Sequence, residues 1–582
     1  MSSKAFWRVV AITVVAVAAL VGGIAHTRGL GPLGASRATG AAEEVERGYR
    51  EALEIVEANY AGEVEFERAS EAAIQGMLWS LDPHSNFFTA ADYAKLLQDQ
   101  ESRFTGIGVS IQRHRDAVYV QSPVEGTPAA RAGLRFGDRI VEVDGKNARE
   151  WTTAQVSKAV RGERGKRVTL KVERAGSEAP LYFTIVRDSV PQPSVRNAFM
   201  IRPGVGYVAL TGGFTQTTTK ELRDAFERLR GEGMRQVVLD LRNNGGGLLE
   251  QSVNVASLFV GRGQTVVTVR GRADERTRVL KNQSTDPVEF PLVVLINRNS
   301  ASASEIVAGA IQDHGRGLIV GETSFGKGLV QKVFPLPFGA GLTLTTAKYY
   351  TPYGRLIQRE YTGGTYYDYY ARREDEAAPA NGTVAPGAPA TPGSPSQPSQ
   401  TGAPSEAPTP EPIPHASPTG PPITTAAGRV FYGGGGITPD HHVRPLDLGT
   451  PARVRIYDAS FHFTRELAAG RVGGLESYRV PETPQFGRAP RATDFPVTDR
   501  VVEAFRDFVR RGAEPGLSVA ALDADLDFAR MRLREDIITA AFGLEAGARV
   551  TLDTDPQALR ALEVFPEART LAENVRRGGP AE

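Results

Sequence analysis

Residues 290–331 read FPLVVLINRNSASASEIVAGAIQDHGRGLIVGETSFGKGLVQ. The apolar run FPLVVLIN (290–297) has the length and β-branched content of a strand buried on both faces. Small polar residues crowd the stretch from Asn299 to Ser304, after which EIVAGAIQD carries a helical apolar pattern. GLIVGE (317–322) is a second buried strand, so the order is strand, tight turn, helix, strand. That alternation predicts an α/β sheet, and a strand-to-helix turn exposes side chains at the sheet end where open α/β folds bind ligands. Backbone N–H groups at such a helix start can stabilise a developing oxyanion. Ser302 sits in the turn with two readings open. It can act as a nucleophile, or Ser302-x-x-Glu305 can form a capping box that spends the hydroxyl on closing the helix.

The end of the same stretch, GETSFGKG (321–328), begins with the phosphate-cradling spacing G-x-x-x-x-G-K. A nucleotide loop needs Ser or Thr after its lysine and a helix beyond it. Here Gly328 follows Lys327, and LVQKVFPLP reads as a strand ending in prolines. The nucleotide reading is set aside. A Ser/His/Asp arrangement with His314 and Asp240 is a weaker alternative, since DHGRG places His314 at a helix end where a cation suits the dipole.

Outward from this stretch, strands and helices alternate from Gly206 to Pro352, with YVALTG, QVVLDLR and TVVTVRG as further strands and helices over 218–230 and 248–259. From Phe104 to about Val186 the runs are short and strand-like (GIGVSIQ, AVYVQSPV, DRIVEVDG, RVTLKVER, LYFTIVR), with one helical stretch at 153–160. The pattern from Glu43 to Leu81 is helical and stops at Leu81-Asp82-Pro83-His84-Ser85, where the proline ends it. Between Pro379 and Pro422 stand 14 prolines in 44 residues, a composition that cannot bury enough apolar surface to order itself. Order is expected to resume at GGGGITPDHHV, followed from about Thr464 by Arg/Glu-faced helices whose role the sequence does not reveal.

The 582 residues are 41% hydrophobic and 23% charged, with a net charge of +1, which gives no electrostatic case for nucleic acid. There is no cysteine, so disulfides, thiolate nucleophiles and Cys-ligated zinc are excluded. The 8 histidines form no H-E-x-x-H, and His441 and His442 point opposite ways on a strand, so no metal site is expected. Lys4 and Arg8 precede an apolar run from Val9 to Ala25, between a signal peptide and a short membrane anchor in length. The rest of the chain is accordingly expected to be exported, periplasmic or held to the membrane with its catalytic part outside the cytoplasm.

The segment SASASEIVAGAIQDHGRGLIVGETSFGKGLVQ resembles the catalytic segment of the C-terminal processing proteases, also called tail-specific proteases. The similarity continues, in the family's order, through GMLWSLDPHS (76–85), LDLRNNGGGLL (239–249), LTLTTAKYYTPYGRLIQ (342–358) and GGITPD (435–440). It implies an α/β peptidase core of the ClpP/crotonase-like kind with an inserted β-rich PDZ domain. It also implies that Ser302 is the nucleophile, Lys327 the general base, Gln331 the residue that orients the lysine, and Glu305 a further active-site carboxylate. Gly246 and Ala303 would supply the oxyanion-hole N–H groups, although many relatives carry proline where Gly245 stands. Phe104-Thr105-Gly106-Ile107-Gly108-Val109 resembles a PDZ carboxylate-binding loop, in which Ile107, Gly108 and Val109 would hold a chain terminus. Arg135 occupies a position that would link PDZ occupancy to the catalytic core.

The chemistry is coherent on its own terms. A serine hydroxyl is inert until a base takes its proton, and an amine serves as base only when neutral. Bringing a lysine from about 10.4 to near 7 costs roughly 4.6 kcal/mol at about 1.36 kcal/mol per pKa unit, a magnitude that burial supplies. If Gly328 to Val333 is a strand, Lys327, Leu329 and Gln331 share one face. The expectation is an exported, ATP-independent serine endopeptidase without cofactor, acting on proteins with exposed C-terminal tails, its subunit number left open with a homo-oligomer among the options; a non-catalytic PDZ adaptor for such tails is the alternative. The expected division is 1–41 leader or anchor with linker, 42–100 N-terminal helices, 101–190 PDZ domain, 195–370 peptidase core, 371–427 disordered insertion, 428–450 return to the core, and 451–582 C-terminal helical domain.

Overall fold

The computed structural model of the chain describes residues 40–272, 277–361, 420–425 and 428–577. The leader and most of the proline-rich insertion lie outside the described residues. The chain divides into two units, the first ending at Met77 and the second running from Leu78. In the first, the helix Gly40–Asn59 is followed by the helix Phe66–Trp79, which carries the chain across the boundary.

The second unit is built on a six-stranded sheet in the order Val195–Arg202, Val205–Leu210, Gln236–Asp240, Leu292–Ile296, Leu318–Gly321, His441–His442. Its first pair is an antiparallel hairpin and the rest are parallel. Every residue of Val205–Leu210 and of Leu292–Ile296 is buried, because side chains alternate between two covered faces. Val208, Leu210, Leu239, Val294 and Ile319 pack against the helices Thr218–Gly231, Leu249–Ala256 and Ala303–Asp313. On the other face Tyr207, Val238, Val293, Leu295 and Val320 meet Leu552, Ala558, Ala561, Val564, Phe565 and Ala568. The last turns of the chain therefore belong to the peptidase core, which corrects the expectation of one C-terminal helical domain over 451–582. A separate helical core does exist upstream, where Pro451–Ala468, Asp499–Arg510 and Leu526–Phe542 surround Phe463, Phe505, Phe528 and Ile537.

A second, five-stranded sheet takes up the chain just after Lys327. Gly341–Tyr350 pairs with Asn86–Phe88, Thr265–Gly271 and Leu329–Pro335, and Arg278–Lys281 joins Thr265–Gly271. The LDPHS turn thus leads directly into a strand of this sheet.

The β-rich module is an insertion closed at its neck, since Arg103–Gly106 pairs antiparallel with Asp188–Pro191. Within it, Val109–His114, Ala117–Pro123, Arg139–Val143, Arg167–Glu173 and Leu181–Val186 form a sheet, and the helix Thr153–Val160 falls where its pattern predicts. A capping box at Thr152 and Gln155 starts that helix. The end of the stretch 371–427, expected to be disordered, is structured where it is described: Pro422–Thr424 pairs with Val430–Tyr432.

Candidate active site

Three segments meet at the carboxyl ends of the parallel strands. The first is the turn after Leu292–Ile296. Ser300 Oγ accepts from Asn297 N at 3.0 Å and donates to the Leu241 carbonyl at 2.8 Å. Ala301 N and Ser304 Oγ both donate to the Asn244 carbonyl, at 3.0 and 2.8 Å. Thus pinned, Ser302 takes φ 57° and ψ −113°, outside the regions a non-glycine residue ordinarily adopts. Strain of this kind, of order 1–3 kcal/mol, persists only where the surroundings over-determine it. The Glu305 N–H is taken by the Ser302 carbonyl at 2.9 Å, so the first helical turn closes on backbone.

The helix Ala303–Asp313 is buried along its whole length, as its unbroken run of small and apolar residues requires. Within it Glu305 is 1% exposed and its carboxylate gathers four donors. Oε1 accepts from Ser324 Oγ at 2.5 Å and Gly326 N at 2.7 Å; Oε2 accepts from Ser302 N at 2.7 Å and Lys327 N at 2.9 Å. A single carboxylate oxygen therefore holds the peptide units of both residues of the expected dyad. Burial pushes the Glu305 carboxyl above its usual range, while the donors from Ser324, Lys327, Gly326 and Ser302 pull it back.

The second segment, 321–328, is shaped around that carboxylate. Gly326 has φ +85°, and a Cβ there would stand 3.1 Å from Gly436 N and 3.2 Å from the Ile357 carbonyl, so a side chain has no room. Phe325 N donates to the Ser300 carbonyl at 2.9 Å, and the Arg359 guanidinium lies 4.0 Å from the centre of the Phe325 ring. The Tyr349 hydroxyl donates to the Lys327 carbonyl and lies 3.0 Å from the Ser302 carbonyl, a second link between the two. Burial lowers the Lys327 amine below its ordinary value, against the pull of the Glu305 and Asp82 charges. His84 shares the neighbourhood and is lowered to about 4, first by burial and then by the Lys327 charge.

Gln331 stands on the strand Leu329–Pro335, and its amide nitrogen donates to Thr345 Oγ1 at 2.6 Å. The expectation that strand alternation would align Lys327 with Gln331 does not apply as framed, because Lys327 lies in the turn two residues before the strand begins.

The third segment is the glycine loop after Gln236–Asp240. Gly246 packs on the Ser302 turn: a Cβ on it would lie 2.8 Å from Ser302 Cβ and 2.9 Å from Ala303 N. Its own N–H donates to Asn244 Oδ1 at 2.9 Å, whereas the Ala303 N–H has no acceptor among the described residues. Asn244, 1% exposed, also donates to the Leu210 carbonyl at 2.6 Å and so ties this loop to the sheet. The residues of the alternative triad are occupied elsewhere. His314 Nε2 contacts the Thr265 carbonyl at 2.7 Å, and Asp240 accepts from Tyr207 OH at 2.7 Å and from Arg242.

At the inserted module, Phe104, Ile107, Gly108, Val109, Val160 and Arg161 line a cavity of about 60 Å³ between the strand Val109–His114 and the helix Thr153–Val160. The Ile107 carbonyl accepts from Ala129 N at 2.8 Å and the Gly108 carbonyl from Val124 N at 3.0 Å, while the N–H groups of Ile107 and Gly108 have no acceptor among the described residues. Val109–His114 pairs only with Ala117–Pro123 among the described strands and leaves an edge for an added strand. Arg135 does not line this groove. Its guanidinium pairs at 3.1 Å with Glu482, in the segment between the helices Pro451–Ala468 and Asp499–Arg510, and not with the Ser302 turn.

Tyr349, Ser324 and Asn244 are site residues that pattern reading passed over. Tyr349 had a legible signal, lying in a strand inside the matched run TTAKYYTPYG. Asn244 and Ser324 act through contacts between segments distant in sequence, which no local pattern announces.

The family model of peptidase family S41 matches residues 204–370, and that of the PDZ domain matches residues 119–174. Over 313 residues the chain is 39% identical to the carboxy-terminal-processing protease of Bartonella bacilliformis, covering 53% of this chain and 71% of that protein. It is 32% identical over 310 residues to the carboxy-terminal processing protease CtpA of Bacillus subtilis, covering 53% of this chain and 66% of the relative. Among solved structures, the photosystem II D1 C-terminal processing protease is 33% identical, with 53% of this chain and 82% of that one covered and a TM-score of 0.32.

Proposed function

Because this chain belongs to the carboxy-terminal-processing protease family, within peptidase family S41, we propose that its proteolysis runs through Ser302 as nucleophile and Lys327 as general base, on protein tails held at the PDZ groove. The chain is a serine-type peptidase with a PDZ domain. The observation that carries the assignment of the dyad is the Glu305 oxygen that accepts from the N–H of both residues.

A tail enters with its terminal carboxylate at the N–H groups of Ile107 and Gly108 and its strand beside Val109–His114. Upstream, Ser302 Oγ attacks a carbonyl while neutral Lys327 takes its proton. The free N–H of Ala303, at the positive end of a buried helix, meets the oxyanion, and the Gly246 N–H joins it by leaving Asn244 Oδ1. The lysinium then protonates the departing amine, which leaves an acyl-Ser302 that water, deprotonated by Lys327, releases. Glu305 positions the two reacting residues without exchanging a proton itself. No step calls for ATP or a cofactor. The apolar run Val9–Ala25 behind Lys4 and Arg8 supports an exported site of action, in the periplasm or at a membrane.

Ser302→Ala separates peptidase from adaptor. Cleavage of a tail-bearing peptide is expected to vanish while its binding persists, and cleavage that survives the substitution would remove Ser302 from the mechanism.

A further inference from the structure

The LDPHS turn is brought close to the lysine, and the reaction as described gives it no role. Its side chains are tied together: Asp82, 7% exposed, accepts from His84 N at 2.8 Å and Ser85 N at 2.9 Å on Oδ1 and from Ser85 Oγ at 2.7 Å on Oδ2. Such a closed turn is what Asp two or three residues before its donors builds. It does not end on itself, because Ser85 Oγ also accepts from Thr345 N at 3.1 Å. Thr345 Oγ1 in turn accepts from the Gln331 amide at 2.6 Å. The register fixes this arrangement, since Asn86 lies opposite Thr343 and Gln331 opposite Thr345 across the strand Gly341–Tyr350.

We propose that Asp82 and Ser85 are positioning residues for the Ser302–Lys327 reaction: through Thr345 they hold Gln331 and the hairpin that carries Lys327, and the Asp82 carboxylate is the second anion beside the amine. The inference rests on the reading of Lys327 as general base. Its physical content is that a lysine kept neutral by burial alone has nothing to stabilise the charge it gains when it takes the serine proton. A fixed carboxylate nearby stabilises that lysinium and, held at the far end of a hydrogen-bonded chain, does not collapse onto the amine. The groups that act on Lys327 are Glu305 from the helix and Asp82 and His84 from this turn, while Arg359 and Tyr361, from the segment that follows Tyr349, act on His84 and on Asp82. Of these, Asp82 and Glu305 favour the charged amine. His84, lowered to about 4, is neutral at the pH where the amine titrates.

The test is the pH profile of kcat/KM for a tail-bearing peptide with the full chain. For Asp82→Asn, kcat on the plateau is expected to fall about tenfold, less than the 10²-fold that a misplacement of about 1 Å can cause, with KM unchanged. Its acidic limb is expected to move to lower pH, because the removed anion favoured the lysinium. Thr345→Val is expected to lower kcat by a similar factor with the limb unmoved, and Thr345→Ser to restore it. A purely structural turn would move neither the limb nor the Val/Ser difference. An Asp82→Asn profile that superimposes on wild type, or a Thr345→Val enzyme as active as Thr345→Ser, overturns the inference. If Asp82→Asn does not fold, the Thr345 pair decides alone. A wild-type limb that survives in Lys327→Ala would instead refute the base assignment, so the two failures are distinct.

Discussion

Glu305→Gln tests the junction most directly, because it keeps the shape of the side chain and changes only what its ends can accept. The carboxylate receives hydrogens from Ser324 Oγ and Gly326 N on one oxygen and from Ser302 N and Lys327 N on the other. An amide turns one of those oxygens into a donor, so whichever way it is set two donors face a third. Set toward Ser302 and Lys327, its nitrogen meets both N–H groups of the dyad. Set the other way, it meets Gly326 N and a Ser324 hydroxyl whose oxygen already accepts from Ile437 N at 2.7 Å. Hydrogen bonds to a charged acceptor contribute about 1.5–3 kcal/mol each, and a buried donor left without a partner costs about 1–3 kcal/mol. In the opposite sense, the neutral amide is spared the desolvation that holds the Glu305 carboxyl above its usual range. The balance predicts a loss of about 2–4 kcal/mol, read as a lower urea midpoint at unchanged slope. Activity should fall by more than about tenfold in kcat, since the Ser302 and Lys327 peptide units lose their shared acceptor. The acidic limb of kcat/KM should also move to lower pH, because the Glu305 charge holds the Lys327 pKa up. A Glu305→Gln protein within about 0.5 kcal/mol of wild type, with kcat within about twofold and the limb in place, would refute the four-donor cage as the device that sets the site.

Gly108→Ala probes the groove. At φ +75° its Cβ would lie 2.4 Å from Thr127 Cβ, so the loop must shift, and KM for a tail-bearing peptide is expected to rise at least about tenfold with kcat little changed; an unchanged KM would detach the groove from substrate capture. In the C-terminal helices, burial raises the Asp536 carboxyl from 3.8 to about 7, and its Oδ2 has no partner among the described residues while Oδ1 accepts from Arg532 at 3.0 Å. A folded pKa above the unfolded one gives stability that is present below about pH 4 and is lost as the pH rises through 7. The urea midpoint should therefore fall between pH 5 and pH 8 more steeply in wild type than in Asp536→Asn, and equal falls would show that Asp536 does not titrate there.

The Ser302 turn, between strand and helix, was legible because its signals are local. A buried strand, small residues and a helix beginning at Ser302-x-x-Glu305 specify where a side chain is exposed, and the Gly-Lys-Gly after the next strand specifies a turn followed by a strand and no helix. The capping-box reading names part of a larger junction. Glu305 does reach back to the Ser302 N–H at 2.7 Å, but the same oxygen also takes the Lys327 N–H, so a feature that reads as helix capping is the joint of the site. Local pattern could not show that joint, since Lys327 lies 22 residues downstream of Glu305. The same limit explains Arg135, whose spacing in GLRFGD identifies its module but not the Glu482 carboxylate that it meets 347 residues later.

The role of the last helices could have been deduced, and the reason lies in the strands and not in the helices. Val205–Leu210 and Leu292–Ile296 are apolar at almost every position, which is the signature of a sheet covered on both faces. The three helices that alternate with the strands, Thr218–Gly231, Leu249–Ala256 and Ala303–Asp313, cover one face only. A right-handed crossover between adjacent parallel strands places its helix on a fixed side when the strands are added in one direction. Here the strands Val205–Leu210, Gln236–Asp240, Leu292–Ile296 and Leu318–Gly321 are laid down in one direction, so none of those helices can reach the opposite face. A second cover must come from elsewhere in the chain, and the amphipathic helices Pro556–Glu563 and Phe565–Arg577 supply it. Their entry point is Asp555, which caps the first of them and pairs with Arg242 at 2.6 Å. Arg242 stands immediately before Asn243 and Asn244, so the helices that close the sheet also anchor the base of the loop that packs Gly246 against Ser302.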